Sequence, residues 1–177
     1  MKRKLLLAFA IFALAMLSGC FNVEEADVKI VLNPGVDTVE INTTYTDPGA
    51  TATAKGIRIS YTVIENTIAT TTLGTYLIRY ETTYRGFTKQ ALRMVRVVDE
   101  TPPLLALKAG LDTIYEGETW TDAGVIASDN SGLAPLVTVS GSVSNQLAGE
   151  YIIRYQAEDA SGNQSEIIRY VNVLKKP

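Results

Sequence analysis

This chain of 177 residues contains no histidine and a single cysteine, Cys20. An internal disulfide is therefore impossible, and neither a thiol–imidazole pair nor a Cys/His zinc site can be assembled. A histidine general base is excluded in the same way, and no glycine-rich phosphate loop follows a strand-like stretch. A carboxylate-only glycosidase needs two opposed carboxyls in a deep cleft, for which small domains leave little room. Long apolar runs are also scarce. The only one, Leu5–Leu17, has thirteen residues, short of the roughly 20 that a membrane-spanning helix needs. Past that run no segment keeps a helical period with caps at its ends. Together these absences point away from an enzyme.

The start of the chain has a clear layout. Lys2, Arg3 and Lys4 precede the apolar run, and the small residues Ser18 and Gly19 precede Cys20. That is the three-part arrangement of a secretory signal. Leu17-Ser18-Gly19-Cys20 resembles the lipobox of bacterial lipoproteins. The resemblance implies cleavage after Gly19, a diacylglyceryl group on the Cys20 sulfur, and a location on the extracytoplasmic face of a bacterial membrane. Residues 1–19 then form a lipoprotein signal peptide and 20–27 a lipidated tether. Losing Lys2, Arg3 and Lys4 takes 16 basic residues to 13 against 19 acidic ones, a net charge of −6. Nucleic acid is a poor partner for such a chain, because phosphate binding needs a basic face.

The remainder says the same thing twice. DTVEINTTYTDPGA at 37–50 aligns with DTIYEGETWTDAGV at 112–125, and GTYLIRY at 74–80 aligns with GEYIIRY at 149–155, both at a spacing of 75. Beyond these the spacing becomes 76: Gly86 matches Gly162, Arg93 matches Arg169, and Val97 matches Val173. Two copies of one domain are expected, at 28–98 and 104–177. Asp99-Glu100-Thr101-Pro102-Pro103 lies between them as a short linker stiffened by its prolines.

Each copy reads as all-β. Tyr76, Ile78 and Tyr80 alternate with Leu77, Arg79 and Glu81, and Tyr151, Ile153 and Tyr155 repeat the alternation, the period of a half-buried strand. In the last strand Ile167, Arg169, Val171 and Val173 share one face and Ile168, Tyr170, Asn172 and Leu174 the other. Periodicity alone does not choose the buried face. Asp47 and Asp122, each two residues before a glycine, read as turn braces rather than catalytic acids. Tyr76 and Tyr151, opening the penultimate strand after a glycine turn, resemble the tyrosine corner of immunoglobulin-like sandwiches. Two residues on, where antibody domains carry a cysteine, stand Ile78 and Ile153, so packing replaces the disulfide. TYTDPGATA at 44–52, LGTYLIRY at 73–80, DETPP at 99–103, TDAGVIASDNSG at 121–132 and AEDASGN at 157–163 resemble a bacterial surface Ig-like repeat family, found in tandem on secreted proteins and on an insecticidal crystal protein. The resemblance spans most of 28–174. It implies two tandem immunoglobulin-like β-sandwiches and no reaction.

Equivalent loops of the two copies differ in chemistry. Copy one offers Lys55, Arg58, Tyr84, Arg85, Phe87 and Lys89, which are basic and aromatic. Sandwich topology turns these loops toward the anchor, so they are candidates for contact with the membrane. Copy two offers Asp129, Asn130 and Asp159, turned by the same topology toward Asp99 and Glu100 at the linker. Those five oxygen-rich residues form a candidate calcium site; no other cofactor is expected. Three roles follow: an adhesion or binding module for a surface protein or polysaccharide, a spacer holding a partner near the membrane, or a carbohydrate-binding module using Tyr61, Tyr115 or Tyr170 for stacking.

Overall fold

The computed structural model describes residues 22–177. Cys20 and the proposed signal peptide lie outside the described residues. A single 3-10 turn, Glu25–Asp27, precedes the first strand, and no α-helix occurs among the described residues. The first repeat supplies β1 (Val28–Leu32), β2 (Thr38–Glu40), β3 (Ala50–Ala54), β4 (Ile57–Ile59), β5 (Thr62–Asn66), β6 (Gly74–Tyr84) and β7 (Phe87–Val98). The second supplies β8 (Leu104–Leu107), β9 (Thr113–Tyr115), β10 (Val125–Ser128), β11 (Leu136–Ser140), β12 (Gly149–Glu158) and β13 (Gln164–Leu174). The all-β expectation holds.

The repetition in sequence is a repetition in topology. The first repeat builds a three-stranded sheet, β1-β3-β4, and a four-stranded sheet, β2-β7-β6-β5. The second builds β8-β10 and β9-β13-β12-β11. Strand order in the two four-stranded sheets is the same. The β9–β13 pairing is parallel, with Val173 opposite Ile114, while β12 and β13 pair antiparallel along ten residues. The second repeat has no counterpart of β4. There the chain after β10 turns instead through Asp129–Gly132, closed by a hydrogen bond from the Gly132 N–H to the Asp129 carbonyl.

Alternation decides what is buried. In β6, Ile78, Tyr80 and Thr82 point inward, and in β12 Ile153, Tyr155 and Ala157 do so. In β13 the inward face is Arg169, Val171 and Val173; Tyr170 is exposed. Ala50, Ile78 and Tyr80 make the centre of the first core, with Ile30, Leu32, Tyr45, Ile68 and Ala91 packed around them. Strands from both sheets contribute to that cluster, which is what holds two layers face to face.

The chain divides into two compact units, but not at residues 99–103. The first holds residues up to Asp37 with Tyr45–Ala69 and Thr75–Arg96; the second holds Thr38–Thr44, Thr70–Gly74 and Val97–Pro177. Hydrogen bonds within the second unit hold Thr38–Thr44 there, and the Asn42 N–H donates in turn to the Thr70 carbonyl at 2.8 Å. Glu40 accepts from the Glu100 N–H, from the Thr101 hydroxyl and from the Asn130 side-chain amide. Asn42 donates to the Asn130 carbonyl at 2.9 Å. Within 99–103, Asp99 and Pro103 are buried, while Glu100, Thr101 and Pro102 are exposed.

Candidate functional site

The largest fully buried side chains are two arginines, Arg93 and Arg169. Each anchors a polar network inside its domain. Arg169 Nη1 donates to Asp112 at 2.7 Å, and Nη2 donates to the carbonyls of Lys108 and Gly124 at 2.6 and 3.1 Å. Its Nε lies 3.7 Å from Asp122. Asp122 also accepts from the Gly124 N–H at 2.8 Å and from the Tyr155 hydroxyl. Arg93 repeats the arrangement: Nη1 to Asp37 at 2.5 Å, Nη2 to the carbonyls of Asn33 and Gly49, with Nε 3.6 Å from Asp47. Asp47 accepts from the Gly49 N–H at 2.8 Å and the Tyr80 hydroxyl at 2.5 Å. So Asp47 and Asp122 do brace their turns, and they hold a buried tyrosine as well. The sequence signal for this network was present in Asp37/Asp112, Asp47/Asp122, Tyr80/Tyr155 and Arg93/Arg169, which all recur. Recurrence marked the positions as shared without saying that they meet.

Proton affinities follow from this packing. Burial works against the charge on Arg93, but Asp37 and Tyr80 more than offset it and raise its pKa. Tyr80 is pushed up to about 12, first by burial and then by its hydrogen bond to Asp47. A phenol that holds its proton more tightly when folded stabilises the fold fully below its unfolded pKa near 10. That contribution disappears as pH rises through the folded value, and amounts to about 2–3 kcal/mol. Urea melts at pH 9 and pH 11.5 should therefore show the first domain losing stability. The Tyr80→Phe variant should lose that part of the slope, and an unchanged slope would refute the assignment.

The tyrosine corner is visible in copy two, where the Tyr151 hydroxyl donates to the Leu147 carbonyl at 2.7 Å.

Surface features are placed as follows. The β3–β4 and β6–β7 connections are two-residue turns, Lys55-Gly56 and Arg85-Gly86. Lys55 and Arg85 each have φ +48, and the following glycines have φ +79 and +87. Two successive positive φ values make the hairpin turn whose twist suits the flanking strands, and glycine adopts the second at no steric cost. Both tips meet at one hollow of about 210 Å³, lined by Val23, Ala54, Lys55, Ile57, Ile59, Tyr84 and Arg85. Arg85 lies over the Tyr84 ring, 5.8 Å from its centroid. Arg58 is exposed and Phe87 half-buried, and neither lines the hollow. Acidic residues of the 3-10 turn reach two of the cations: Lys89 pairs with Glu25 at 2.6 Å and Lys55 with Asp27 at 3.9 Å. Ile57, 73% exposed at the tip, was not singled out by sequence.

Of the five oxygen-rich residues in copy two, three come together. One carboxylate oxygen each from Asp99, Asp129 and Asp159 lie within 4.8 Å of one another. Asn130 instead donates to Glu40, and Glu100 contributes its backbone N–H to Glu40; neither belongs to the trio. Tyr61 is engaged, packing edge-on against Tyr80 with its hydroxyl accepting from the Ala50 N–H. Tyr115 and Tyr170 are exposed on the outer face of the β9-β13-β12-β11 sheet. Tyr170 lies opposite Ile152 and Tyr115 opposite Leu174, and all four are 43–52% exposed.

Residues 111–173 match the family model described as bacterial surface protein, Ig-like domain. No curated protein matches the chain. Among solved structures, a lipoprotein from Bacteroides thetaiotaomicron is similar, at 24% identity and a TM-score of 0.35, over 75% of this chain and 61% of that one. The chain thus spans less than two thirds of that protein's length.

Proposed function

We propose that this chain, whose residues 111–173 match the bacterial surface Ig-like domain, is a non-enzymatic surface lipoprotein whose domains bind a surface protein or polysaccharide. Cys20 carries the lipid that holds it on the extracytoplasmic face of the membrane. The observation that favours binding over a spacer is the outer face of the β9-β13-β12-β11 sheet. The buried Arg93 and Arg169 networks brace their domains. That face, by contrast, displays Tyr170 beside Ile152 and Tyr115 beside Leu174. Flat sheet surfaces with exposed aromatics suit stacking on sugar rings, which favours polysaccharide as the ligand class.

Two arms test this. Cells grown with labelled palmitate should label the native chain, and Cys20→Ser should abolish the label and release the protein to the soluble fraction; persistent label would remove the anchor. The released protein should bind members of a glycan array, and Tyr170→Ala should weaken that binding at least tenfold. A silent array, or binding indifferent to Tyr170, would leave the spacer as the better account.

The hairpin tips of the first domain add a weaker attraction to the membrane. Lys55, Arg58, Arg85 and Lys89 face Glu24, Glu25 and Asp27 nearby in sequence or by ion pair. The excess is one positive charge, worth about 1 kcal/mol at an anionic surface. The Cys20→Ser protein should therefore sediment with anionic vesicles only about fivefold better than with neutral ones, far less than a lipid anchor achieves.

A further inference from the structure

The three aspartates that meet in the second unit come from different places in the chain. Asp99 follows β7, Asp129 follows β10, and Asp159 follows β12. Asp99 and Asp159 are each more than nine-tenths buried, and Asp129 is half-buried. Neighbouring donors orient each carboxylate. Asp129 Oδ1 accepts from the N–H and hydroxyl of Ser131, at 2.8 and 2.5 Å. Asp159 accepts from the N–H groups of Ser161 and Asn163 and from the Asn163 amide, all at 2.8 Å. Asp99 Oδ2 accepts from the Ser161 hydroxyl at 3.1 Å.

Two oxygens are left over. Asp99 Oδ1 and Asp129 Oδ2 are buried and have no hydrogen-bond partner. Among the described residues no lysine or arginine pairs with any of the three carboxylates. Buried charges are otherwise paired or bound to metal, because an unpaired one carries a heavy desolvation cost. Here the excess is all of one sign, and one carboxylate oxygen of each residue lies within 4.8 Å of the other two.

We infer that Asp99, Asp129 and Asp159 form a divalent-cation site of the size and hardness of calcium. Oxygen-only ligation excludes soft metals. Calcium keeps its ligands at roughly 2.3–2.6 Å, so opposed oxygens stand about 5 Å apart, whereas magnesium at about 2.1 Å demands a tighter cage. An open cleft of about 340 Å³ borders Asp99, Ser131 and Ser161. It gives the ion an entry path and room for the waters that complete its shell. The ion ties Asp99 to the turns at Asp129–Gly132 and Asp159–Asn163. Burial, then the charges of Asp129 and Asp159, raise the Asp99 pKa against the hydrogen bond from Ser161, whereas at Asp159 burial is outweighed by hydrogen bonds from Asn163, Ser161 and Gly162, which keep the carboxyl low. A proton on Asp99 would relieve the same crowding without a metal, and the experiment separates the two.

The test uses the full chain in detergent, stripped with chelator at pH 7.5. Titration with calcium chloride in the calorimeter should give saturable binding of one ion, with magnesium at least tenfold weaker. Thermal melts should shift up by several degrees in calcium and return in chelator, at constant ionic strength. Asp129→Asn should weaken calcium at least tenfold, Asp99→Asn should abolish the shift, and Glu100→Gln should behave as the native chain. No heat and no shift with the native chain would overturn the site. Native-like calcium binding by both Asp99→Asn and Asp129→Asn would overturn it equally.

Discussion

Arg169→Met should destabilise the second domain by about 3 kcal/mol. Methionine keeps much of the volume, so the loss is electrostatic rather than a cavity. It strands the Asp112 and Asp122 carboxylates and the carbonyls of Lys108 and Gly124, all of which the guanidinium now serves. Breaking a buried ion pair by removing one partner costs about 3–5 kcal/mol, because the other charge remains. The lower end applies here: the aspartate side chains keep 41% and 31% exposure and can rehydrate. In a domain of this size each kcal/mol lowers the midpoint by roughly 4–8 °C, so the second domain should melt some 12–24 °C earlier. Circular dichroism melts of the native chain and the variant read this directly. A variant melting within a few degrees of the native chain would mean that the network is dispensable. Replacing Asp112 and Asp122 by asparagine in the Arg169→Met background should recover part of the loss, since the stranded charges go with them.

Ile78→Ala should cost the first domain about 4 kcal/mol. Ile78 is wholly buried between Ala50 and Tyr80. Isoleucine-to-alanine losses range over about 2–5 kcal/mol according to how far the site can collapse. Collapse is hindered here. Ala50 has no atoms to spare, and Tyr80 is pinned by its hydrogen bond to Asp47. A domain of roughly 75 residues buries only about 60% of its chain surface, and no disulfide supplements the core. In urea the midpoint of the first transition should fall sharply with its slope unchanged, while Ile78→Val should cost only about 1 kcal/mol. A loss below 1 kcal/mol for alanine would contradict the idea that packing at this position substitutes for a cross-link.

The aspartate trio and the arginine networks differ in the sign of their balance. In each network one cation meets two carboxylates, and tyrosine hydroxyls and backbone carbonyls take up the remaining capacity. In the trio three carboxylates meet no lysine or arginine among the described residues. The first arrangement balances its charge within the protein, with only Arg93 Nε left without a hydrogen bond; the second, on the inference above, takes a cation from outside.

Much of this molecule was legible in its residues. Two-residue alternation in GTYLIRY and GEYIIRY marked strands, and the 75-residue echo anticipated the shared strand order of the two four-stranded sheets. Thr-Asp before glycine announced the turns that Asp47 and Asp122 brace. All of these are local, and local chemistry is written along the chain. Three things were decided by tertiary structure alone. Alternation shows that Arg169 and Tyr170 face opposite ways but not which way is in, because that depends on the sheet packed opposite. Read singly, an arginine belongs in water; it is buried here because acceptors at Lys108, Asp112, Asp122 and Gly124 converge on it from some 45 to 61 residues away. Asp99, Asp129 and Asp159 stand thirty residues apart along the chain, and only the fold closes them to within 4.8 Å.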